Sequence, residues 1–117
     1  MSKSLVRHVV EGARLLVGAR PTWTRHTLAL TRNNRECDPT DSRAARFCAY
    51  GALVRSAYDL TGDAKQARDL AGRAAMTITG RDNAHEAFED IYTINDGPPV
   101  SSRNAIMRLF DKSLARV

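Results

Sequence analysis

Cys48 is the side chain in this sequence best suited to act as a nucleophile, and His26 and Asp96 could complete a Cys–His–Asp arrangement with it. A reactive thiolate needs a lowered pKa, which a helix N-terminus, a nearby cation or an adjacent histidine can supply. The residues around Cys48 are apolar and predict the middle of a helix, so we expect a buried and unreactive thiol. A cysteine-dependent enzyme centred on Cys48 is therefore an alternative and not the leading hypothesis.

Metal and cofactor chemistry find little support in the sequence. Cys37 and Cys48 have no zinc-type spacing, and we expect both to be free thiols. His85 and Glu89 lie one helical turn apart and could both bind a metal. A transition-metal site normally needs at least three ligands, and the sequence has no second His–carboxylate pair to complete one. We therefore expect neither a metal nor a cofactor.

The remaining residues with functional side chains could form a small pocket if the fold brings them together. The candidates are one aromatic, one histidine, one thiol and two polar turn residues: Trp23, His26, Cys48, Asn95 and Asp96. Each also has a structural explanation. A lone tryptophan is commonly a core anchor whose indole N–H is bonded to a carbonyl, and the run Asn95-Asp96-Gly97-Pro98-Pro99 is typical of a turn.

The positive charge is concentrated in one segment. Residues 12–35 carry five arginines and no acid, whereas residues 82–102 carry five acids and no Lys or Arg, and the whole chain has a formal charge of +5. Concentrated positive charge attracts phosphate, so this segment could bind nucleic acid through Arg20, Arg25, Arg32 and Arg35. Alternatively the two segments face each other, within a subunit or across a symmetric dimer, or the arginine excess is compositional.

Composition limits the class of protein. The 117 residues suit a single domain, 1–117, and the many alanines favour helices with closely packed backbones. No stretch approaches the ~20 apolar residues of a membrane span, and the N-terminal arginines are better explained by an ordinary amphipathic helix than by a targeting signal. We expect a cytoplasmic protein that does not enter a membrane.

The elements that would position these residues are mostly helical. Helix one is predicted from Ser4 to Gly18, and a small β-hairpin with its tip at Arg32-Asn33-Asn34-Arg35 follows, with a continued helix through Trp23 to Leu30 as the alternative. The returning strand is predicted over residues 35–38. Helix two is predicted from an Asp38 cap and Pro39 through Tyr58, with Gly62 ending it, and helix three from an Asp63 cap to Gly80. Helix four is predicted over residues 83–94. Helix five is predicted to follow a Ser101 or Ser102 cap, with these residues on one face: Ile106, Leu109, Phe110, Ser113, Leu114 and Val117. Gly51, in the middle of predicted helix two, suggests another helix crossing closely there. The fold class is thus mainly α: a compact bundle of about five helices with a small β-hairpin between helices one and two.

Four landmarks in order carry a resemblance to a known family. They are Trp23-Thr24, the hairpin leading into Asp38-Pro39, the run Phe47-Cys48-Ala49-Tyr50-Gly51-Ala52-Leu53, and Asn95-Asp96 before a final helix containing Arg103. Over residues 20–116 the sequence resembles a family of small, functionally uncharacterised domains from bacteria and their phages, in which a helix carries Cys-x-x-Gly-Ala-Leu and Trp-Asn-Asp precedes the last helix. Ile94 stands where that family has tryptophan. The resemblance implies the architecture and brings no activity, substrate or cofactor.

These observations favour a non-catalytic protein-interaction or regulatory module, with a protein partner or a second copy of itself. A nucleic-acid-binding protein that uses residues 20–35 is the first alternative, and the enzyme centred on Cys48 is the second.

Overall fold

The computed structural model describes residues 3–116, which form five α-helices and one two-stranded antiparallel sheet. In chain order the elements are α1 (Lys3–Gly18), a 3₁₀ turn (Arg20–Thr22), β1 (Ala29–Thr31), β2 (Ala44–Phe47), α2 (Ala49–Thr61), α3 (Ala64–Thr79), α4 (Ala84–Asn95) and α5 (Pro99–Arg116). This confirms the predicted mainly α bundle with a small β-element between the first two helices.

The ends of α3 and α4 follow directly from local sequence. Asp63 caps α3 by accepting a hydrogen bond from Gln66 N, and Asn83 caps α4 by accepting one from Glu86 N. α2 and α3 both end at a glycine in the left-handed region, Gly62 and Gly80. These boundaries agree with the predicted ones because they depend on contacts only a few residues apart in the chain.

The predicted start of helix two was wrong. Asp38 and Asp41 each accept a hydrogen bond from the backbone N–H two residues ahead, at Thr40 and Arg43, which forms two consecutive tight turns instead of a helix. The chain then enters β2, and α2 begins only at Ala49, with Cys48 as its N-cap. Pairing of β2 with β1 has overridden the helical pattern of residues 44–47.

The predicted hairpin tip is confirmed, but the predicted returning strand is reduced to one bridge. The chain reverses at Arg32-Asn33-Asn34-Arg35, with Asn34 in the left-handed region, and Leu30 bridges Glu36. The full partner of β1 is β2, in the register Ala29↔Phe47, Leu30↔Arg46 and Thr31↔Ala44. Thus β1 lies between a short return of the chain and a strand that sequence patterning assigned to a helix. The alternative of continuous helix through Trp23 to Leu30 is also wrong.

α2, which has a nearly continuous apolar sequence, is the central helix. It packs against α1, α3 and α4. A Cβ at Gly51 would lie 1.9 Å from the carbonyl oxygen of Leu28, so the close neighbour of Gly51 is the strand-side backbone and not the crossing helix that the sequence suggested. The close crossing of two helices is at Gly12 of α1, where a Cβ would lie 2.3 Å from Ser56 Oγ of α2.

α5 closes the bundle against α1 and α4. It begins at Pro99, slightly before the predicted Ser101 or Ser102 cap. Its predicted inner face is buried at Ile106, Phe110 and Ser113. Leu109 and Leu114 are half-buried against the core, and Val117 lies outside the described residues.

Candidate functional site

The structure brings Trp23 and Asn95 together in a hydrogen-bonded junction between three parts of the chain. Asn95, the last residue of α4, is fully buried. Its Oδ1 accepts hydrogen bonds from Trp23 Nε1 at 2.8 Å and from Ala49 N, in the first turn of α2, at 3.0 Å. Its Nδ2 donates to the carbonyl of Thr24 at 3.1 Å. One amide side chain thereby joins the segment before β1, the start of α2 and the end of α4.

Asp96 extends this junction to His26. The Asp96 carboxylate accepts a hydrogen bond from His26 N at 2.9 Å, and its other oxygen lies 3.3 Å from His26 Nδ1. His26 has φ of 69°, a left-handed backbone conformation that a non-glycine residue adopts only when neighbours hold it there. Tyr92 also faces Asp96; burial and this carboxylate raise the pKa of its phenol. His26 itself is mostly exposed at the edge of an open groove of about 470 Å³, which Cys37 and Tyr92 also line.

Cys48 lies beside the junction and is fully buried. As the N-cap of α2 its Sγ accepts a hydrogen bond from Gly51 N at 3.3 Å, so the predicted mid-helix position was wrong. A helix N-terminus normally lowers a thiol pKa. Here burial dominates and, with the charge of Asp96 acting in the same direction, raises the pKa of Cys48 to about 11. A fully buried thiol with a raised pKa is the opposite of an activated nucleophile.

The four arginines that were predicted to bind nucleic acid lie in three different places. Arg20 is in the 3₁₀ turn, and Arg32 and Arg35 are at the hairpin tip; all three are exposed. Arg25 is at the junction, where one of its terminal nitrogens donates to the carbonyl of Asp96 at 3.0 Å. The predicted basic segment is therefore not one continuous binding strip, and it meets the acidic segment at Asp96.

One concave surface of the described residues was not predicted from the sequence. A groove of about 580 Å³ lies between α1, α2 and β2, with a floor that includes Leu16, Ala45 and Phe47. We call it the α1–α2 groove. Its sides carry Leu15, which is 76% exposed, and Leu60, which is 47% exposed. The available signal was the run Leu15-Leu16-Val17, since three consecutive apolar residues on a helix cannot all face the core.

Neither metal chemistry nor a membrane span is indicated in the part of the chain that the structure describes. Residues 3–116 contain no group of three or more His, Cys, Asp or Glu side chains that could hold a metal ion. None of the described helices combines the length and the apolar character needed to cross a bilayer. His85 and Glu89 are both exposed, with Nε2 of the imidazole 3.0 Å from Oε1 of the carboxylate.

The fold and the junction define a small, mainly α-helical domain in which Asn95 and Asp96, at the end of α4, hold the segment before β1, and Asn95 also holds the start of α2. The sequence matches a family of unknown function (DUF6197) over residues 1–116, and the chain belongs to that family. No curated protein and no solved structure matches it.

Proposed function

We propose that this protein is a non-catalytic interaction module that self-associates through the α1–α2 groove. The observation that carries the proposal is the position of Leu15 and Leu60, the two most exposed large apolar side chains of the described chain, on the sides of one groove. Water-exposed apolar side chains around a hollow are typical of interaction surfaces. The candidate nucleophile Cys48 is buried, which favours an interaction surface over the alternative of a cysteine-dependent enzyme.

A second copy of the chain is the partner that this surface suits. A two-fold interface uses the same patch on both subunits, so the patch must contain a projection and a hollow that fits it. Leu15 projects beside an apolar floor. The charged side chains that line the groove, Arg55 and Asp59, form an ion pair with each other, so the groove is electrically balanced although the chain carries +5 overall.

The expected affinity is modest. Complete burial of a leucine contributes about 1.5–3 kcal/mol. The loss of translational and rotational freedom on association costs roughly 4–15 kcal/mol, which is similar to the total from two leucines on each copy. The two terms nearly cancel, so we expect a weak and reversible dimer that forms only at high protein concentration.

Sedimentation equilibrium over a wide concentration range tests the proposal. The wild type should pass from monomer to dimer, and Leu15→Ser and Leu60→Ser should each remain monomeric while keeping the helical circular dichroism spectrum. Ile94→Ser is the matched control, since Ile94 is also exposed but lies outside the groove. A monomeric wild type at the highest concentration, or equal weakening by all three substitutions, would contradict the proposal.

Nucleic-acid binding is a second candidate, favoured by the hairpin tip. The exposed side chains of Arg32 and Arg35 form no ion pair or side-chain hydrogen bond with any described residue, whereas Arg14, Arg43, Arg68 and Arg81 are paired with carboxylates. Unpaired arginines on a projecting loop can contact phosphates at little desolvation cost. Fluorescence anisotropy with labelled single- and double-stranded oligonucleotides should then show binding that weakens with salt.

The control for this candidate is a variant that loses the same two positive charges from a different part of the surface. Replacing Arg32 and Arg35 together with alanine should weaken binding and flatten the dependence on salt concentration. The double substitution of Arg73 and Arg108, which are exposed arginines on α3 and α5, should have a smaller effect. Equal losses in both double variants, or no binding at low salt, would exclude the hairpin as a nucleic-acid site.

A further inference from the structure

A smaller concavity, which shares no lining residue with the α1–α2 groove, lies beside the 3₁₀ turn. It is a cleft of about 210 Å³ between this turn and the first turns of α5, lined by Arg20, Trp23, Pro99 and Arg103. None of the lining residues is acidic. We call it the Arg–Trp cleft. Two guanidinium groups beside an aromatic ring in a confined space are an arrangement suited to an anion.

The two arginines are prepared for a ligand in different ways. Arg103 Nη1 donates to the carbonyl of Gly18, at the C-terminal end of α1, at 2.8 Å, which fixes the guanidinium and leaves most of its five N–H donors uncommitted to this bond. The side chain of Arg20 is exposed and makes no hydrogen bond or ion pair with a described residue. One cation is thus held in place and the other is free to close on a ligand.

Among the described residues, no carboxylate forms an ion pair with Arg20 or Arg103. Asp96, three residues before Pro99, is occupied by His26, and Asp111 of α5 is paired with Arg14. The positive end of the α5 dipole also lies at Pro99, where it adds to the positive potential.

Trp23 forms the rigid wall of the cleft. Its indole N–H is used by Asn95, so the ring cannot rotate without breaking that bond. The aromatic surface that lines the cleft can contact a planar or apolar part of a ligand. The hydrogen bond from Trp23 to Asn95 therefore fixes the orientation of the indole ring in the cleft.

We propose that the Arg–Trp cleft binds a small phosphomonoester, with its phosphate between Arg20 and Arg103 and its organic part against Trp23. A phosphomonoester carries close to two negative charges at neutral pH, which matches two guanidinium groups, and guanidinium forks bind phosphate oxygens in pairs. This site is independent of the α1–α2 groove, and so its test is independent of self-association.

Tryptophan fluorescence provides a direct assay because Trp23 is the single tryptophan of the chain. The protein is titrated with inorganic phosphate, ribose 5-phosphate, AMP and adenosine, with excitation at the red edge of tryptophan absorption to avoid absorption by the nucleotide. We expect a saturable change with both phosphate esters and none with adenosine. Tighter binding of AMP than of ribose 5-phosphate would identify stacking of the base on Trp23; equal binding would identify recognition of the sugar phosphate alone.

Arg20→Gln is the decisive variant, since Arg20 holds no other part of the structure. It should weaken binding of the esters about tenfold, in line with the loss of one charged hydrogen-bonding group. Arg108→Gln removes the same charge from an exposed site on α5 outside the cleft and should leave binding almost unchanged. The proposal is overturned if no ester gives a saturable signal at millimolar concentration, if adenosine binds as well as AMP, or if the two variants lose affinity equally.

Discussion

Replacing Asn95 with alanine should destabilise the fold far more than the loss of one surface amide would. The substitution removes the acceptor for Trp23 Nε1 and Ala49 N and the donor to the Thr24 carbonyl. Ala49 is fully buried, so its unpaired N–H costs about 1–3 kcal/mol. The partners at Trp23 and Thr24 are half-buried and can recover part of their hydrogen bonding from water, at a net loss of about 0.5–1.5 kcal/mol each. We expect a total loss of about 3 kcal/mol in the free energy of unfolding.

Urea denaturation measures this effect with two probes, circular dichroism and the emission of the single tryptophan. Because Asn95→Ala frees the indole N–H, the emission of the folded variant should also shift. Asn33→Ala at the exposed hairpin tip is the control and should stay within about 0.5 kcal/mol of the wild type. A loss below about 1 kcal/mol for Asn95→Ala with unchanged emission would refute the three-way junction, since a buried N–H cannot be left unpaired at so small a cost.

Two further predictions concern α2 and its neighbours. Gly51→Ala should destabilise the protein by about 3 kcal/mol or more in urea denaturation, because the new methyl group overlaps the Leu28 carbonyl. Gly72→Ala is the same change in α3, where the methyl group would make only ordinary van der Waals contacts, and it should be neutral or gain up to about 1 kcal/mol. Similar losses at both sites would contradict the close approach at Gly51. Burial raises the pKa of Cys48 to about 11 from an ordinary value of 9.0, so the thiol favours folding below pH 9 and this contribution is lost as the pH rises to about 11. Cys48→Ala should therefore lower the pH dependence of stability in that range, and an unchanged slope would contradict the buried thiol. In the native protein a thiol reagent should label Cys37, which is partly exposed, well before Cys48.

The junction explains why the residues that looked most functional in the sequence are grouped. Trp23 is anchored by its indole N–H, as a lone core tryptophan commonly is, but the acceptor is the side chain of Asn95 and not a backbone carbonyl. The Asn95-Asp96 pair does form a turn at the end of α4, and it also fixes the chain before β1. Its contacts over about 70 residues of sequence separation could not be inferred from spacing alone.

The assignment of helix two shows where local patterning fails. An aspartate, a proline and a following acid suit a helix start, and the same residues suit two consecutive turns, so residues 38–43 are locally ambiguous. The pairing of β2 with β1 decides between them, since it gives the backbone of residues 44–47 hydrogen-bond partners that lie far away in the chain. Because residues 44–47 form β2, Cys48 is the N-cap of α2 and does not lie in the middle of a helix.

The sequence by itself determined the features that depend on neighbours within a few positions. These are the five-helix composition, the caps at Asp63 and Asn83, the glycine ends of α2 and α3, and the tip of the hairpin. Only the tertiary structure decided which strand pairs with β1, what contacts Gly51, and which exposed side chains line the same groove. Leu15 and Leu60, or Arg20 and Arg103, are ordinary residues in the sequence, and they become candidate sites because packing places distant segments on the two sides of a groove or cleft.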